Sequence, residues 1–256
     1  MKGPTWVDAH CHLFLHDDEP AAVIARAEAQ GVTWMMVPGV DVATSRQAAA
    51  LAARFPDRLR WSAGLHPHDA ERWPQERDDI AELAAAAAAI GECGLDYYRN
   101  LSPPDAQREA FSDQLRLGAE LDKPVIVHCR DAFDDVFDAI ERAALGERAV
   151  MHCWTGGPRW TKRFRELGVT FSFAGPVAFT TGDTVRRGAA EAPPGRVMVE
   201  TDTPYLAPPP HRQEANEPGY VPLVGAALAG VFGVDPGQVA TWTTATAARV
   251  FGSPRP

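Results

Sequence analysis

Eight short apolar runs rich in β-branched residues recur along the chain, and nearly every gap between them reads as a helix. The runs are residues 6–7, 32–37, 61–65, 90–94, 125–128, 149–152, 169–173 and 197–201. Parallel strands covered on both faces look like this, and regular strand–helix alternation argues for a parallel α/β sheet. Eight units with no evident switch in order favour a closed (β/α)8 TIM-type barrel over an open doubly wound sheet. The chain has 256 residues, the usual size of one such barrel, so a single domain over 1–256 is expected. A chain of that length can bury a core without disulfides or a structural metal.

One helix shows the local logic. Ser102 is the expected N-cap and Pro103 the first helical residue, where a missing N–H is harmless. Phe111, Leu115 and Ala119 follow on one expected face, and Pro124 marks the stop before the next strand.

Charge and hydropathy narrow the function classes. A formal net charge of −9 argues against a basic nucleic-acid-binding face. It leaves a nucleic-acid substrate open, because screening at physiological salt limits surface charges to a reach of roughly 8 Å. No apolar run is long enough to span a bilayer, and Asp8, His10 and His12 interrupt the N-terminus where a signal peptide would be apolar. The expectation is a cytoplasmic protein with no membrane contact and no obligate protein partner.

In such a barrel the active site lies at the C-terminal ends of the strands. His10 and His12 are expected at the end of the first strand and His66 at the third. Glu92, His128, His152 and Asp202 follow at the fourth, fifth, sixth and eighth. Structural histidines would have no reason to gather at one end. Period-two alternation sends His10 and His12 to the same face, a natural pincer for a divalent metal, with Cys11 turned away. Cys11, Cys93, Cys129 and Cys153 each follow a candidate ligand, so alternation turns all four toward the helix layer as packing rather than as thiolate ligands. His16 and His68 fall in loops and read as solvated. Trp34, Trp61, Trp73, Trp160 and Trp242 read as packing, while Trp154 is a candidate for lining the pocket.

Six segments then carry a resemblance. Asp8-Ala9-His10-Cys11-His12-Leu13, Gly64-Leu65-His66-Pro67-His68 and Gly91-Glu92-Cys93-Gly94-Leu95-Asp96-Tyr97-Tyr98 are the first three. Pro124-Val125-Ile126-Val127-His128-Cys129-Arg130, His152-Cys153-Trp154-Thr155-Gly156 and Glu200-Thr201-Asp202-Thr203-Pro204-Tyr205-Leu206 complete the set. In order and spacing they resemble the signature blocks of the TatD family of metallohydrolases. The resemblance implies an amidohydrolase-like barrel holding two divalent metal ions and a deoxyribonuclease activity, often on DNA 3′ ends. Carried over by position, it implies one metal among His10, His12 and Asp202, a second between His128 and His152, and Glu92 bridging both. His66 and Arg130 would line the pocket as catalytic residues, and Glu200 would stand behind the ligands. In one place the pattern breaks: relatives carry Arg-Gly and a basic residue before Asn-Glu-Pro, whereas this chain reads Arg212-Gln213-Glu214-Ala215-Asn216-Glu217-Pro218.

The expected chemistry is attack by a hydroxide shared between two cations, with Asp202 taking its proton and His66 or Arg130 stabilising developing charge. Histidine-rich ligation suits Zn²⁺, Mn²⁺, Ni²⁺ or Co²⁺ better than Mg²⁺. Counting Glu92 and Asp202 against two divalent cations leaves a site of about +2, suited to an anionic substrate. The expected substrate is DNA, single-stranded or at 3′ ends. The rival is an ester hydrolase on the same barrel, such as a D-aminoacyl-tRNA deacylase, lactonase or phosphotriesterase, because the ligands serve either reaction.

Overall fold

The structure is a computed structural model that describes residues 3–254. Eight parallel strands, β1 (Trp6–Asp8), β2 (Val32–Pro38), β3 (Leu59–Ala63), β4 (Ala89–Asp96), β5 (Val125–Arg130), β6 (Ala149–Met151), β7 (Thr170–Phe173) and β8 (Val197–Val199), pair in sequence order. Seven helices alternate with them: α1 (Pro20–Ala29), α2 (Val42–Arg54), α3 (Trp73–Ala86), α4 (Pro104–Glu120), α5 (Phe133–Ala143), α6 (Pro158–Glu166) and α7 (Asp183–Ala189). Then α8 (Val221–Phe232) and α9 (Pro236–Phe251) follow β8. Beyond β1 and β8 the chain continues the closure: Ala9 N donates to Val199 O at 3.0 Å, Asp202 N to His10 O at 2.9 Å and His12 N to Thr203 O at 2.9 Å. The result is the (β/α)8 barrel that the apolar runs call for. Among the described residues no single helix is long and apolar enough to cross a membrane.

Alternation along the strands divides the core into two layers. Val7, Trp34, Met36, Ala89, Ile126, Val150 and Met198 pack together inside the barrel, with Ala247 and Phe251 of α9 against them. Their neighbours Trp6, Met35, Val37, Ile90, Val125, Val127, Met151 and Val199 belong to the larger cluster with the helices. Helix α9 covers the N-terminal end of the barrel, bonding through Thr244 to Thr5 O and through Arg249 to Gly195 O. The opposite end is left to the strand-end loops.

Three local expectations are corrected. The N-cap of α4 is Pro103, not Ser102; the Ser102 hydroxyl instead donates to His68 O at 2.8 Å. The buried face of α4 continues from Leu115 to Gly118, leaving Ala119 exposed, and the helix stops at Glu120, where Leu121 caps it before Pro124 is reached. Trp154 does not line the pocket: its Nε1–H donates to Thr161 Oγ1 at 2.8 Å, and its ring packs among Phe133, Phe164 and Phe171.

The alanine-rich end of α3 has no basic residue in its last turn, and a distant side chain supplies one. Lys123 Nζ donates to the carbonyls of Ala84, Ala85 and Ala87 at 2.6, 2.7 and 2.7 Å. These are groups that a helix end leaves without intrahelical partners. Lys123→Met keeps the stem but removes all three bonds, and should lower stability by about 1–3 kcal/mol. Urea unfolding at fixed metal concentration checks this; an unchanged midpoint would show that water replaces the ammonium at no cost.

Candidate metal centre at the strand ends

Each candidate ligand reaches the same end of the barrel by a different local route. His128 lies within β5 and faces inward in phase with Ile126, and His152 directly follows β6 in phase with Val150. His10 and His12 lie beyond β1, where a bridge between Cys11 and Thr203 continues the pairing and places Cys11 among the helix-facing core. His66 sits three residues past β3 as the cap of a short 3₁₀ helix, Pro67–Arg72, rather than ending the strand. Asp202 is three residues past β8 and adopts a left-handed backbone (φ 60°).

Glu92 is the exception to simple alternation. Ala89 faces the barrel interior and Ile90 the helices, a phase that would turn Glu92 outward and Cys93 inward. A register irregularity between Ile90 and Cys93 resets the phase. Gly91 sits there at φ +114°, and a Cβ on it would lie 2.6 Å from Ile126 O. Cys93 therefore packs in the outer cluster and Glu92 points to the axis. Two residues on, a Cβ at Gly94 would lie 2.0 Å from His128 O, so only glycine lets β4 approach β5 this closely.

The ligand atoms converge. His10 Nε2 and His12 Nε2 are 3.2 Å apart. Glu92 Oε2 lies 3.3 and 3.6 Å from them, and Asp202 Oδ1 lies 3.8 and 3.7 Å from them. Atoms about 2.1 Å from one ion at tetrahedral angles are separated by about 3.4 Å, so His10, His12 and Asp202, a compact group of potential ligands, fit a single divalent cation, with Glu92 Oε2 beside the two imidazoles. The other carboxylate oxygen, Glu92 Oε1, lies 2.9 Å from His128 Nδ1, 3.4 Å from His66 Nε2 and 3.5 Å from His152 Nε2. His66, Glu92 and His128 also form a compact group of potential ligands. Yet His66 Nδ1 accepts the backbone N–H of His68 at 3.2 Å, which places its ring proton on Nε2. An Nε2–H is a donor and has no lone pair for a metal.

Buried carboxylates stand behind the imidazoles. Glu200 Oε1 lies 2.7 Å from His152 Nδ1 and accepts Cys153 N at 2.7 Å, while Ser172 donates to its other oxygen. Asp96 Oδ2 lies 2.8 Å from His68 Nε2 and 3.4 Å from His128 Nε2, and Arg99 N donates to Oδ1 at 2.8 Å. No carboxylate approaches His10 or His12 Nδ1 among the described residues; like His128 Nε2 and His152 Nδ1, they make no aligned hydrogen bond, but the latter two have Asp96 and Glu200 at ion-pair distance. His68, read as solvated from the sequence, thus belongs to the site. Asp96, not singled out from the sequence, could have been found because it lies four residues after Glu92 on one strand and so on its face; His68 could not, because it follows His66 on a 3₁₀ turn.

Burial and charge set the protonation states of the cluster. Burial pushes His12 down to about 3 and His66 down to about 4, against the pull of Glu92 on each. Burial also acts on His152, but Glu200 and Glu92 outweigh it and hold the imidazole up at about 10. His128 is likewise raised by Asp96 and Glu92 against its burial. Burial, the largest single effect, pushes Glu92 up, but His152 and His66 together with the hydrogen bonds from His10 and His128 outweigh it and hold Glu92 well below the usual carboxylate range. Asp202 is pushed up to about 6 by burial, partly offset by His152 and His10. Neighbouring carboxylates thus hold His152 and His128 toward the charged form, whereas burial keeps His12 and His66 neutral.

Glu200→Gln keeps the shape behind His152 but removes the charge. It should weaken divalent-metal affinity by about 10–100-fold, the usual effect of losing a carboxylate behind a ligating histidine. Competition with a chromophoric chelator reads this directly; unchanged affinity would show that His152 holds no metal.

The cluster opens into a cavity of about 520 Å³ lined by His66, His68, Arg99, Arg130, Asp202 and Tyr205, among others. The unusual loop before Asn216 does not reach into it as a free cation. Arg212 lies with Cζ 3.7 Å from the centre of the Phe179 ring and bonds Ala207 O at 3.1 Å. Asn216 Nδ2 ties Thr201 O and Tyr205 O at 2.7 and 2.5 Å.

Known proteins share this architecture and sequence. Residues 7–252 match the family described as TatD related DNase. A 3'-5' ssDNA/RNA exonuclease TatD of Citrobacter rodentium is 39% identical over 249 residues, covering 93% of this chain and 92% of that protein. The uncharacterized metal-dependent hydrolase YabD of Bacillus subtilis is 36% identical over 252 residues, covering 95% and 98%. Among solved structures, the TatD homolog YJJV of Escherichia coli superposes with a TM-score of 0.87 at 25% identity, covering 97% and 98% of the two chains.

Proposed function

The chain belongs to the TatD related DNase family, and from that premise we propose that it is a metal-dependent nuclease hydrolysing phosphodiester bonds of single-stranded nucleic acid from the 3′ end. One observation carries the two-metal form of this reading: the two oxygens of Glu92 face separate groups of imidazoles, Oε2 toward His10 and His12, Oε1 toward His128 and His152. His10, His12 and Asp202 would hold one cation, His128 and His152 the other, with Glu92 shared. When bound, the cations supply Lewis-acid activation of water and of the phosphoryl group. The nitrogen-rich donor set favours Zn²⁺, Mn²⁺, Ni²⁺ or Co²⁺ over Mg²⁺.

The chain's own groups supply the rest. Asp202, facing the cavity, accepts the proton of the attacking water. His66, fixed as the Nε2–H tautomer, donates to a phosphoryl oxygen, and Arg130 adds a fixed positive charge at the cavity wall. Glu200 and Asp96 orient His152 and His128.

These two carboxylates also revise the charge count. Glu92, Asp96, Glu200 and Asp202 together balance the four positive charges of two divalent cations, so the centre is near neutral rather than about +2. That balance favours one second reading, hydrolysis of a neutral ester in the same pocket.

The deciding experiment follows an end-labelled single-stranded oligodeoxynucleotide over time with metal-replete and chelator-treated enzyme. A ladder shortening from the 3′ end only in the metal-replete sample supports the proposal. Intact oligomer beside measurable hydrolysis of aminoacyl or other neutral esters would replace it with the second reading.

A further inference from the structure

Among the described residues, the exposed large apolar side chains gather at one place. Leu15, Tyr98, Leu101 and Tyr205 are 44%, 63%, 61% and 55% exposed. Leu15, Leu101 and Tyr205 line the cavity over the metal-ligand cluster. Tyr98 joins them through Arg130, which also lines the cavity and stacks on the Tyr98 ring with Cζ 4.0 Å from its centre. Isolated exposed apolar residues need no explanation, whereas four around one mouth do. The adjacent tyrosine shows the contrast: Tyr97 donates to Asp135 at 2.5 Å and is tied down there, while Tyr98 is left exposed beside Arg130.

Their order in the barrel sorts them into two lips. Leu15 follows β1 and Tyr205 follows β8, which are neighbours through the Cys11–Thr203 bridge. Tyr98 and Leu101 follow β4, and Arg130 ends the neighbouring strand β5. In a ring of eight strands in sequence order, the β8/β1 side stands opposite the β4/β5 side. The ligand cluster lies between them. The β8 lip is braced, since Tyr205 N donates to Asp202 O at 2.9 Å and Tyr205 O accepts from Asn216.

We propose that the two lips are base-stacking subsites, Tyr98 with Arg130 on one side and Tyr205 on the other, which take the unpaired nucleobases flanking the scissile phosphate of a single strand. The proposal rests on the nuclease reading above and names how that substrate is gripped. With the metal centre near neutral and the protein at −9, Coulomb attraction for a polyanion is confined to Arg99 and Arg130 at the cavity wall. Aromatic faces supply affinity independently of net charge and of base identity, because every base has a π-face. A paired duplex has its bases already stacked on one another, so the lips select single strands.

Binding is measured by fluorescence anisotropy in metal-loaded Asp202→Asn protein, so that turnover does not interfere, and initial rates are measured in the otherwise wild-type enzyme. The probes are a labelled single-stranded oligodeoxynucleotide and the same oligomer with its last two 3′ residues abasic. The normal oligomer should bind about tenfold or more tightly, a modest value for base–aromatic stacking. Tyr98→Ala and Tyr205→Ala should each lose about tenfold in affinity for the normal oligomer and little for the abasic one. Tyr98→Phe and Tyr205→Phe should retain wild-type affinity, with metal content unchanged throughout and the kinetic loss in KM rather than kcat. Log affinity should fall with log salt at a slope of only about −1.4, as for two phosphate contacts on a single strand. Equal binding of the two oligomers, or alanine variants that keep full discrimination, overturns the proposal. Cleavage without base discrimination removes the lips and leaves the nuclease; base-dependent binding without cleavage does the reverse. Failure to bind either oligomer overturns both.

Discussion

Glu92→Ala should reduce bound transition metal to less than one equivalent and lower turnover on the order of 10⁴-fold or more, the scale seen when a group shared by the whole catalytic apparatus is removed. Glu92 is buried, and imidazoles of His10, His12, His66, His128 and His152 all lie within 3.6 Å of its oxygens. Without it, the five imidazoles lose the one carboxylate they share, with Asp202, Asp96 and Glu200 left beside only some of them, and neither proposed cation keeps its shared ligand. Elemental analysis of protein purified without chelator, paired with oligonucleotide digestion, gives both readouts. Glu92→Gln fills the same space and separates lost charge from lost packing. Full metal content and activity within tenfold of wild type would show that Glu92 bridges nothing.

Asp202→Asn tests a different property, because it should separate metal binding from chemistry. Asparagine tolerates the left-handed backbone that residue 202 adopts, so the bonds from Asp202 N to His10 O and from Tyr205 N to Asp202 O survive. His10, His12 and Glu92 remain to hold the first cation, so most of the metal should stay. The amide cannot accept the water's proton, and kcat should fall by about 10²–10⁴-fold, the range for loss of a general base. Single-turnover digestion with metal content measured on the same sample checks both halves. Equal turnover for variant and wild type would remove Asp202 from proton transfer; loss of metal in parallel with activity would recast it as a ligand first.

The fold was legible because burial on both faces leaves a local mark: each inner strand must be apolar over several residues whatever packs against it. The strand-end location of the candidate ligands was legible for the same reason, and for His128 and His152 simple alternation also gave the direction. It worked less well where the backbone is irregular. Glu92 points to the axis only because the strand breaks phase at Gly91. His66 acts from a 3₁₀ turn beyond its strand, and Ser102 serves His68 rather than its own helix.

What this sequence determines by itself is therefore a set of residue types at strand ends on a parallel α/β scaffold, since hydrophobic period and spacing are properties of neighbouring residues along the chain. Tertiary structure alone decides how those residues act. It turns both Glu92 oxygens toward different imidazoles, assigns the His66 proton through the backbone N–H of His68, and sets Glu200 and Asp96 behind His152 and His128. It also brings Tyr205 and Arg130, the latter stacked on Tyr98, to opposite sides of one cavity. Each of these depends on which strand stands beside or across from which, and barrel closure fixes that through contacts between segments far apart in sequence.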